Sequence, residues 1–475
     1  MTARRLTILF VALALLHLLP VWRVGHVPTG DGPAHVYNAM VMRELFAGTP
    51  EFARVYEIDW RPHPNWLGHL LLVLAMSVAP PVMAEKLVVS LIVLTFIASL
   101  WAISGVVDVR NRVYAILALP LTFHMLLQLG FYNFTLGTAL MLFSLAARSR
   151  LARALLLTLT YFAHPIPTAV ALLFCGVRWL FTSRDWRDLL PFVPATLLLG
   201  WFAMQPGAQS GMWSWKGALL WEPLARVMVL FTLDLRQLTF GLMLGITFAL
   251  LFVVTLLVEK RSSRDAFLAI TLAAIALYLA APIGMNGDLV LKARFLLFPY
   301  LVVLPWLTPK LARAPLAILF ALVAIGNVFF IRDGWKRHDK QIERALAPMH
   351  AATPLQTFVP VVFDRSSPPA PIGVVGHVSA YGAIEHRLID LGNYEAATGY
   401  FPVAFKTPVD IFALESKPAD YEPAATFVYT WKMPPGTALE TKLEAAYARV
   451  AGEGDARLYR RISSSSAPPA VPPAP

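Results

Sequence analysis

Long apolar runs separated by short polar linkers make up the first two thirds of the chain. A helix needs about 20 residues to cross roughly 30 Å of hydrocarbon, and several runs reach that length only with their neighbours. The runs are Leu6–Trp22, Leu87–Val107, Val113–Leu129, Asn133–Ala147, Leu151–His164, Pro167–Thr182, Leu189–Met204, Leu238–Val258, Ala266–Pro282, Phe295–Thr308 and Ala314–Arg332. This pattern predicts an all-α polytopic membrane domain over residues 1–332, with about eleven transmembrane helices plus juxtamembrane helices.

One further apolar segment, Trp66–Val82, does not fit a simple count of crossings. It contains Pro80-Pro81 near its end and is followed by Glu85 and Lys86. A full crossing there would move every later basic linker to the opposite membrane face. We therefore interpret the segment as a juxtamembrane or re-entrant helix.

The pattern changes after residue 332. Mixed charges and aromatics surround runs of strand length, namely Thr357–Phe363, Ile372–Val375 and Thr426–Tyr429, whereas Tyr394–Ala397 and Ala438–Val450 have helical periodicity. Residues 333–461 are predicted to form a C-terminal α/β extracytoplasmic domain. Residues 462–475 are almost entirely Ser, Ala and Pro, a composition that cannot bury a core and predicts disorder.

Composition and charge placement support the membrane interpretation. The 475 residues are 57% hydrophobic and 15% charged, outside the range of soluble domains, and the formal net charge is +11. The basic residues cluster at the N-terminus and in alternate linkers: Arg4, Arg5, Arg110, Arg112, Arg148, Arg150, Arg153, Arg184, Arg187, Lys260, Arg261, Arg264, Lys310 and Arg313. This follows the positive-inside rule, so we expect a cytoplasmic N-terminus and no nucleic-acid partner. The single cysteine, Cys175, excludes an intramolecular disulfide.

With these basic linkers inside, the other linkers are predicted outside, including a first loop at 23–65 and a second large loop at 205–236. The outer linkers carry a recurring set of polar residues: His26, Asp31, His35, Glu57, Asp59, His63, Tyr132, Asn133, His164, Asn286, Asp288, Lys292 and Arg294. All are expected at one membrane face. Carboxylates together with cations suit a reaction between a nucleophile that needs a base and an anionic leaving group.

Each of these residues also has an ordinary structural interpretation. Asp31 and His35 are four residues apart, and with Pro33 in the first helical turn Asp31 is equally compatible with a helix N-cap. His63 lies between two prolines, where its ring can satisfy a backbone carbonyl. His164 precedes Pro165 at a helix end, which favours a similar structural role.

Two further groups have competing interpretations. Lys292 and Arg294 stand at the mouth of a span, where cations snorkel to lipid headgroups, but near Asp288 they are also compatible with a phosphate site. The tryptophans 213, 215 and 221 favour an interfacial aromatic belt over a wall that stacks on sugars or lipids.

The layout resembles the GT-C superfamily of integral-membrane glycosyltransferases. The resemblance rests on a long outer loop with an early Asp (Asp31), a His-Pro corner (Pro62-His63-Pro64) before a Trp/Leu-rich helix, the second loop 205–236, an Arg-Phe-x-x-x-Pro span (Arg294 to Pro299) and the external C-terminal domain. It covers most of the membrane domain in layout. The stretch His377–Phe405, with the motifs Asp390 to Ala396 and Gly399 to Pro402, resembles uncharacterised bacterial membrane proteins of this kind, and no role is attached to it.

The resemblance implies transfer of a sugar from a polyprenyl-phosphate carrier to an acceptor at the outer face of the inner (plasma) membrane. It implies that Asp31 is catalytic, with Asp59 or Glu57 as a second acid, and that Arg294 or Lys292 meets the lipid phosphate. Asp31 is followed by Gly32 instead of a second acid, so His35 is the alternative. No cofactor is certain, and a divalent metal held by Asp31 and His35 is left open.

Two other classes of protein compete with the glycosyltransferase. A transporter or lipid flippase would show an inverted repeat and ionisable residues at mid-membrane; we find no repeat, and apart from His17, His124 and Arg178 the spans hold few such groups. A non-catalytic scaffold with an external binding domain would tolerate loss of Asp31.

Overall fold

The computed structural model describes residues 2–182, 184–205, 213–214, 238–260, 262, 264–282, 284–285, 290–312, 314–365, 373 and 375–462, with only the backbone at 213, 214, 238, 284, 285, 412, 413 and 415. Most of the 205–236 loop with its tryptophans, Ile372, Asn286, Asp288 and the 463–475 tail lie outside the described residues. The chain forms two compact units. Unit 1 comprises Met1–Arg23 and Val89–Gly334, and unit 2 comprises Val24–Val88 and Trp335–Pro475, each within its described part.

Unit 1 is built from apolar helices. Its helices are Ala3–Leu16, Leu19–Trp22, Val113–Leu117, Met125–Gln128, Tyr132–Ala146, Arg150–Ala163, Pro165–Phe181, Val193–Ala203, Leu238–Val258, Asp265–Ala280 and Leu291–Val302, with 3₁₀ turns at Val109–Arg112, Leu119–Phe123, Trp186–Phe192 and Pro309–Leu311 and a short pairing of Trp213–Ser214 with Gly284–Met285. Two of the three unit boundaries fall within further helices, Pro81–Ser104 and Ala314–Leu346.

Four helical stretches in the described residues are long and apolar enough to cross a membrane: Ala3–Trp22, Pro81–Ser104, Thr239–Val258 and Ala314–Ala351. They expose large apolar side chains, including Leu250 at 60%, Leu257 at 80% and Leu322 at 62%. Such surfaces are costly in water and are covered by lipid in a multi-pass membrane protein. The polytopic helical architecture is therefore confirmed, while the count of eleven crossings stays a prediction.

Prolines interrupt some of the predicted spans. The run Val113–Leu129 is divided into two short helices around the 3₁₀ turn Leu119–Phe123, which contains Pro120. The run Leu189–Met204 likewise changes from a 3₁₀ turn with Pro191 to the Val193–Ala203 helix. Proline lacks an N–H and its ring clashes with the preceding turn, so a continuous helix is broken there.

Unit 2 combines the segment after the first apolar helix with the C-terminal residues. Its helices are Gly32–Phe46, Pro50–Ala53, Trp66–Ala75, Ser379–Glu385, Tyr394–Thr398, Ile411–Ser416 and Ala438–Ala446, with 3₁₀ turns at Ala347–Ala351 and Pro418–Asp420. A five-stranded sheet has the order Ile389–Asp390, Thr357–Val362, Phe427–Trp431, Ala456–Arg461 and Tyr447–Ala451. The first two pairings are parallel and the last two antiparallel.

The first loop also contributes a strand to unit 2. Tyr56–Ile58 pairs antiparallel with Val403–Phe405, and the Tyr56 ring stacks on Phe405 with centroids 5.1 Å apart. The Trp66–Ala75 helix, ten residues long, buries Trp66 and His69 and exposes Leu74. At 1.5 Å per residue it extends about 15 Å, half the thickness of the hydrocarbon core.

Several local predictions in the C-terminal part are confirmed, whereas the predicted strand Ile372–Val375 falls partly outside the described residues, and its described positions, 373 and 375, are not in a strand. The strands at Thr357–Val362 and Phe427–Trp431 and the helix Tyr394–Thr398 lie where predicted, within two residues. The prediction of one helix over Ala438–Val450 is wrong beyond Ala446, where the strand Tyr447–Ala451 begins. This strand pairs with Ala456–Arg461, so backbone bonds of the sheet replace those of further helical turns.

Candidate functional site

Asp31 immediately precedes the Gly32–Phe46 helix in unit 2. Pro33 lies in the first turn, where its missing N–H costs nothing. Asp31 occupies the N-cap position, but its side chain makes no capping hydrogen bond. Its Oδ1 lies 3.6 Å from Nε2 of His377, and its side chain is 28% exposed. The alternative interpretation of Asp31, as a residue that only caps the helix, therefore lacks the side-chain hydrogen bond that defines an N-cap.

A buried cluster of two histidines and a glutamate lies one turn further along this helix. Nδ1 of His35 is 2.5 Å from Oε1 of Glu395, and Nε2 of His69 is 2.8 Å from Oε2 of the same carboxylate. The two imidazole rings meet edge to face, with centroids 5.4 Å apart. Although burial opposes ionisation of Glu395, the two imidazoles lower the pKa of its carboxyl group. Glu395 thus joins two helices of the first loop.

Paired amides set the position of Glu395. Asn38, one turn after His35, donates to Oδ1 of Asn393 at 3.1 Å, and Asn393 donates back to Oδ1 of Asn38 at 3.0 Å. Asn393 is also the N-cap of the short helix that begins at Tyr394, and its Oδ1 accepts from the backbone N–H of Ala396. The Asn-x-Glu spacing therefore fixes the carboxylate relative to the Gly32–Phe46 helix.

Two buried tyrosines strengthen the same contact. The Tyr37 hydroxyl donates to the carbonyl of Leu388 at 2.8 Å and accepts the N–H of Asp390 at 2.7 Å, and the Tyr56 hydroxyl donates to the Asp390 carbonyl. Burial raises the pKa of the Asp390 carboxyl group to about 7, against the hydrogen bond from Gly392. The first loop is therefore held to residues 388–395 by buried hydrogen bonds, which are costly to break.

Asn65 orients His69. Asn65 adopts a left-handed backbone conformation, with φ of 71°, which asparagine tolerates better than most residues. Its carbonyl accepts a hydrogen bond from Nδ1 of His69 at 2.9 Å, and its side-chain amide donates to the Tyr400 carbonyl at 3.3 Å. The Nε2 atom of His69 is therefore the one directed at Glu395.

Asp59 lies in a separate cluster at the proline-bounded corner. Its carboxylate accepts hydrogen bonds from Nε of Arg61 at 2.9 Å and from Nε2 of His63 at 2.8 Å. Partial burial opposes ionisation, but these bonds lower the pKa of Asp59 to about 2. His63 thus bonds a carboxylate instead of the predicted backbone carbonyl. Glu57 is exposed on the Tyr56–Ile58 strand.

His377 lies next to both Asp31 and the buried cluster. Its ring packs against Tyr394 with centroids 4.8 Å apart. Desolvation and the nearby Arg365 cation lower the pKa of His377 to about 3, so its imidazole is neutral at physiological pH. The imidazole beside Asp31 therefore adds no positive charge to the surroundings of that carboxylate.

The remaining predicted site residues belong to unit 1. Arg294 stacks over the Phe131 ring at 4.6 Å, and His164 packs edge to face on Phe134 at 5.4 Å. Tyr132 and Asn133 are buried in the same turn, while His164 caps the Pro165–Phe181 helix by accepting the Ile166 N–H. Lys292 is buried, with Nζ 5.4 Å from the Tyr278 ring centroid. Apart from Lys292, these side chains belong to the turn at residues 131–134 or pack against it.

Sequence reasoning missed His69, Glu395 and His377. His69 is the one titratable residue of the Trp66–Ala75 helix, and an ionisable residue in an apolar helix is a signal of function. Glu395 and His377 both lie in the stretch His377–Phe405, to which the sequence analysis attached no role. Two groups in the described residues have donor atoms within 4.8 Å of one another, as metal ligation requires: His35, His69 and Glu395, and the more exposed His350, Glu385 and His386.

The chain was compared with protein families, curated proteins and solved structures. No protein-family profile matches the chain, and no curated protein gives a significant match. A solved structure that is similar is the crystal structure of ArnT from Cupriavidus metallidurans in the apo state, over 98% of this chain and 99% of that chain. The sequence identity is 16% and the TM-score is 0.47.

Proposed function

We propose that this chain is a GT-C-type membrane glycosyltransferase that moves a sugar from a polyprenyl-phosphate carrier to an acceptor at the outer face of the inner membrane. The observation that carries the proposal is the environment of Asp31. A partly exposed carboxylate follows the first apolar helix, at the start of a helix, beside a neutral imidazole. The sequence layout described above supplies the reaction class.

Asp31 is the proposed general base. The acceptor hydroxyl attacks the anomeric carbon and forms the new glycosidic bond, while the bond from that carbon to the phosphate oxygen breaks and its electron pair leaves with the phosphate. The hydroxyl proton passes to Asp31. A positioned base contributes about 10²- to 10⁴-fold to such a step. Direct displacement inverts the anomeric configuration, so a product that retains the donor's configuration would contradict this mechanism.

Arg294 and Lys292 are the proposed partners of the donor phosphate. The leaving group gains negative charge as the bond breaks, and a nearby cation stabilises that charge more in the transition state than in the ground state. Arg294 has its guanidinium stacked on Phe131, which restricts its motion. His63, His164, Glu57, Tyr132 and Asn133 are the remaining proposed substrate contacts.

The decisive experiment compares cells that lack the gene with cells carrying wild type or Asp31→Asn. We expect the deletion and Asp31→Asn to accumulate the same polyprenyl-phosphate sugar and to lose that sugar from an envelope acceptor. Mass spectrometry of lipid extracts and of hydrolysed envelope material measures both.

The matched control is Asp333→Asn, at an exposed aspartate that pairs with the adjacent Arg332. It is expected to behave as wild type at equal membrane abundance. Unchanged lipid-linked sugars in the deletion strain would reject the transferase. If Asp31→Asn fully restores the wild-type lipid and envelope sugars to the deletion strain, Asp31 is not the general base. That result would favour a non-catalytic scaffold.

A further inference from the structure

The cluster of His35, His69 and Glu395 combines side chains from three separate helices. His35 lies on Gly32–Phe46, His69 on Trp66–Ala75 and Glu395 on Tyr394–Thr398. The exposed fraction is 6% for His35 and zero for the other two. Burying three titratable groups together is costly unless protons or a cation balance them.

The position of the proton on the His69 ring determines how its Nε2 atom can interact with Glu395. A carbonyl oxygen only accepts hydrogen bonds, so the 2.9 Å contact to Asn65 assigns the proton to Nδ1 of His69. In the neutral ring, Nε2 then presents a lone pair to Oε2 of Glu395 at 2.8 Å. Two lone pairs at that distance repel each other unless a proton lies between them or both atoms bind the same metal ion.

We propose that Nδ1 of His35, Nε2 of His69 and the Glu395 carboxylate bind a divalent transition-metal ion, with Zn²⁺ the best match. Two imidazoles and a carboxylate are a common zinc ligand set, whereas Mg²⁺ and Ca²⁺ prefer oxygen ligands alone. The bond from the second ring nitrogen of His69 to a backbone carbonyl is the usual outer-shell support of a histidine ligand. The two carboxylate oxygens of Glu395 each face one imidazole.

The ion would join the two first-loop helices to the C-terminal segment of unit 2. Asp31 stands four residues before His35, one turn away, so the ion would also fix the helix end that carries Asp31. This is a positioning role, and the site's existence does not depend on the proposed transferase activity. It replaces the Asp31 and His35 pair that the sequence suggested.

The test uses the full chain, purified in detergent and stripped of metal, with zinc or cobalt salts alone as probes. We expect about one zinc per chain by elemental mass spectrometry, a higher thermal midpoint with zinc, and visible Co²⁺ bands typical of nitrogen and oxygen ligands. Glu395→Gln is expected to weaken binding at least about 100-fold, the upper range for loss of even an outer-shell partner.

The chain contains its own control in the second His-Glu group. His350 and Glu385 are 64% and 55% exposed and 3.5 Å apart, so burial does not hold them in place and water competes for their donor atoms. His350→Gln should keep the zinc stoichiometry and the cobalt spectrum of wild type. A loss of metal in His350→Gln but not in Glu395→Gln would overturn the proposal.

A proton-bridged triad is the alternative outcome. In that case wild type would bind no stoichiometric zinc, its thermal midpoint would not change with zinc, and cobalt would give only the spectrum of the hydrated ion. Because these readouts use wild-type protein, they overturn the proposal even where Glu395→Gln fails to fold. Failure of the transferase test would leave them unaffected.

Discussion

Asp31 and Asp59 are the two aspartates between Val24 and Val88, and their surroundings differ sharply. The Asp59 side chain is 10% exposed and accepts hydrogen bonds from Arg61 and His63. The Asp31 side chain is 28% exposed, and its contact to His377, at 3.6 Å, is longer than a hydrogen bond. A carboxylate stabilised as an anion by two donors is a weak base, so Asp59 suits a structural role. The greater exposure of Asp31 suits contact with a substrate.

The largest expected effect is that of Asp31→Asn on sugar transfer. Loss of a general base should lower the rate about 100-fold or more, while the thermal midpoint stays within about 1 °C of wild type. Transfer of labelled sugar from lipid-linked donors in membranes measures the rate, and a detergent thermal shift measures the midpoint. Equal rate losses in Asp31→Asn and Asp59→Asn would remove the distinction between the two acids.

Asp59→Asn is expected to lower the stability of the protein more than its transfer rate. It leaves Arg61 and His63 without their anion, which should cost about 1–3 kcal/mol and lower the thermal midpoint by several degrees. Transfer well below that midpoint should remain within a few-fold of wild type. Asp333→Asn is the control for loss of a surface aspartate. An unchanged midpoint in Asp59→Asn would show that the corner does not depend on its ion pairs.

The pH dependence of the same variant sharpens the comparison. The folded pKa of Asp59, about 2, lies below the unfolded value of about 3.9, so its contribution is complete above pH 4 and is lost as the pH falls toward 2. The difference in midpoint between wild type and Asp59→Asn should therefore be constant from pH 7 to 5 and shrink below 4. A difference that grows on acidification would reverse the sign and contradict this assignment.

Arg61→Gln is expected to have the smallest effect. The Arg61 side chain is 53% exposed, and exposed ion pairs contribute about 0–1 kcal/mol. His63 would still donate to Asp59, so the midpoint should fall less than in Asp59→Asn. Urea unfolding of the two variants side by side tests this order. If Arg61→Gln lowers the stability more than Asp59→Asn does, the Arg61 guanidinium, and not His63, provides the main stabilisation of the proline-bounded corner.

Local signals in the sequence were sufficient for much of unit 2. The helix Tyr394–Thr398 is bounded by an asparagine cap and by Gly399 at a φ of 71°, which the sequence pattern predicts within one residue. The end of the Ala438–Ala446 helix was not predictable in this way. Whether Tyr447–Ala451 extends a helix or joins a sheet depends on a partner strand, Ala456–Arg461, and not on its own periodicity.

Only some residues of the candidate site could be predicted from the sequence. Asp31 and His35 are recognisable from their spacing and from their place after an apolar run. Glu395 is not, because its partner His69 lies 326 residues earlier in the sequence. Local pattern carries no information on so distant a contact, and a single sequence offers no second source. An isolated histidine in an apolar helix was the one hint that remained.

That separation along the chain has a consequence for biosynthesis. During translation, His35 and His69 leave the ribosome several hundred residues before Glu395, after which most of the apolar helices must still be made and inserted. Unit 2 therefore cannot complete its core until the polypeptide is nearly finished. A transcript truncated before the codon for residue 395 would yield a protein that inserts its first helices. In that protein His35 and His69 would lack the Glu395 carboxylate with which they pair in the complete chain.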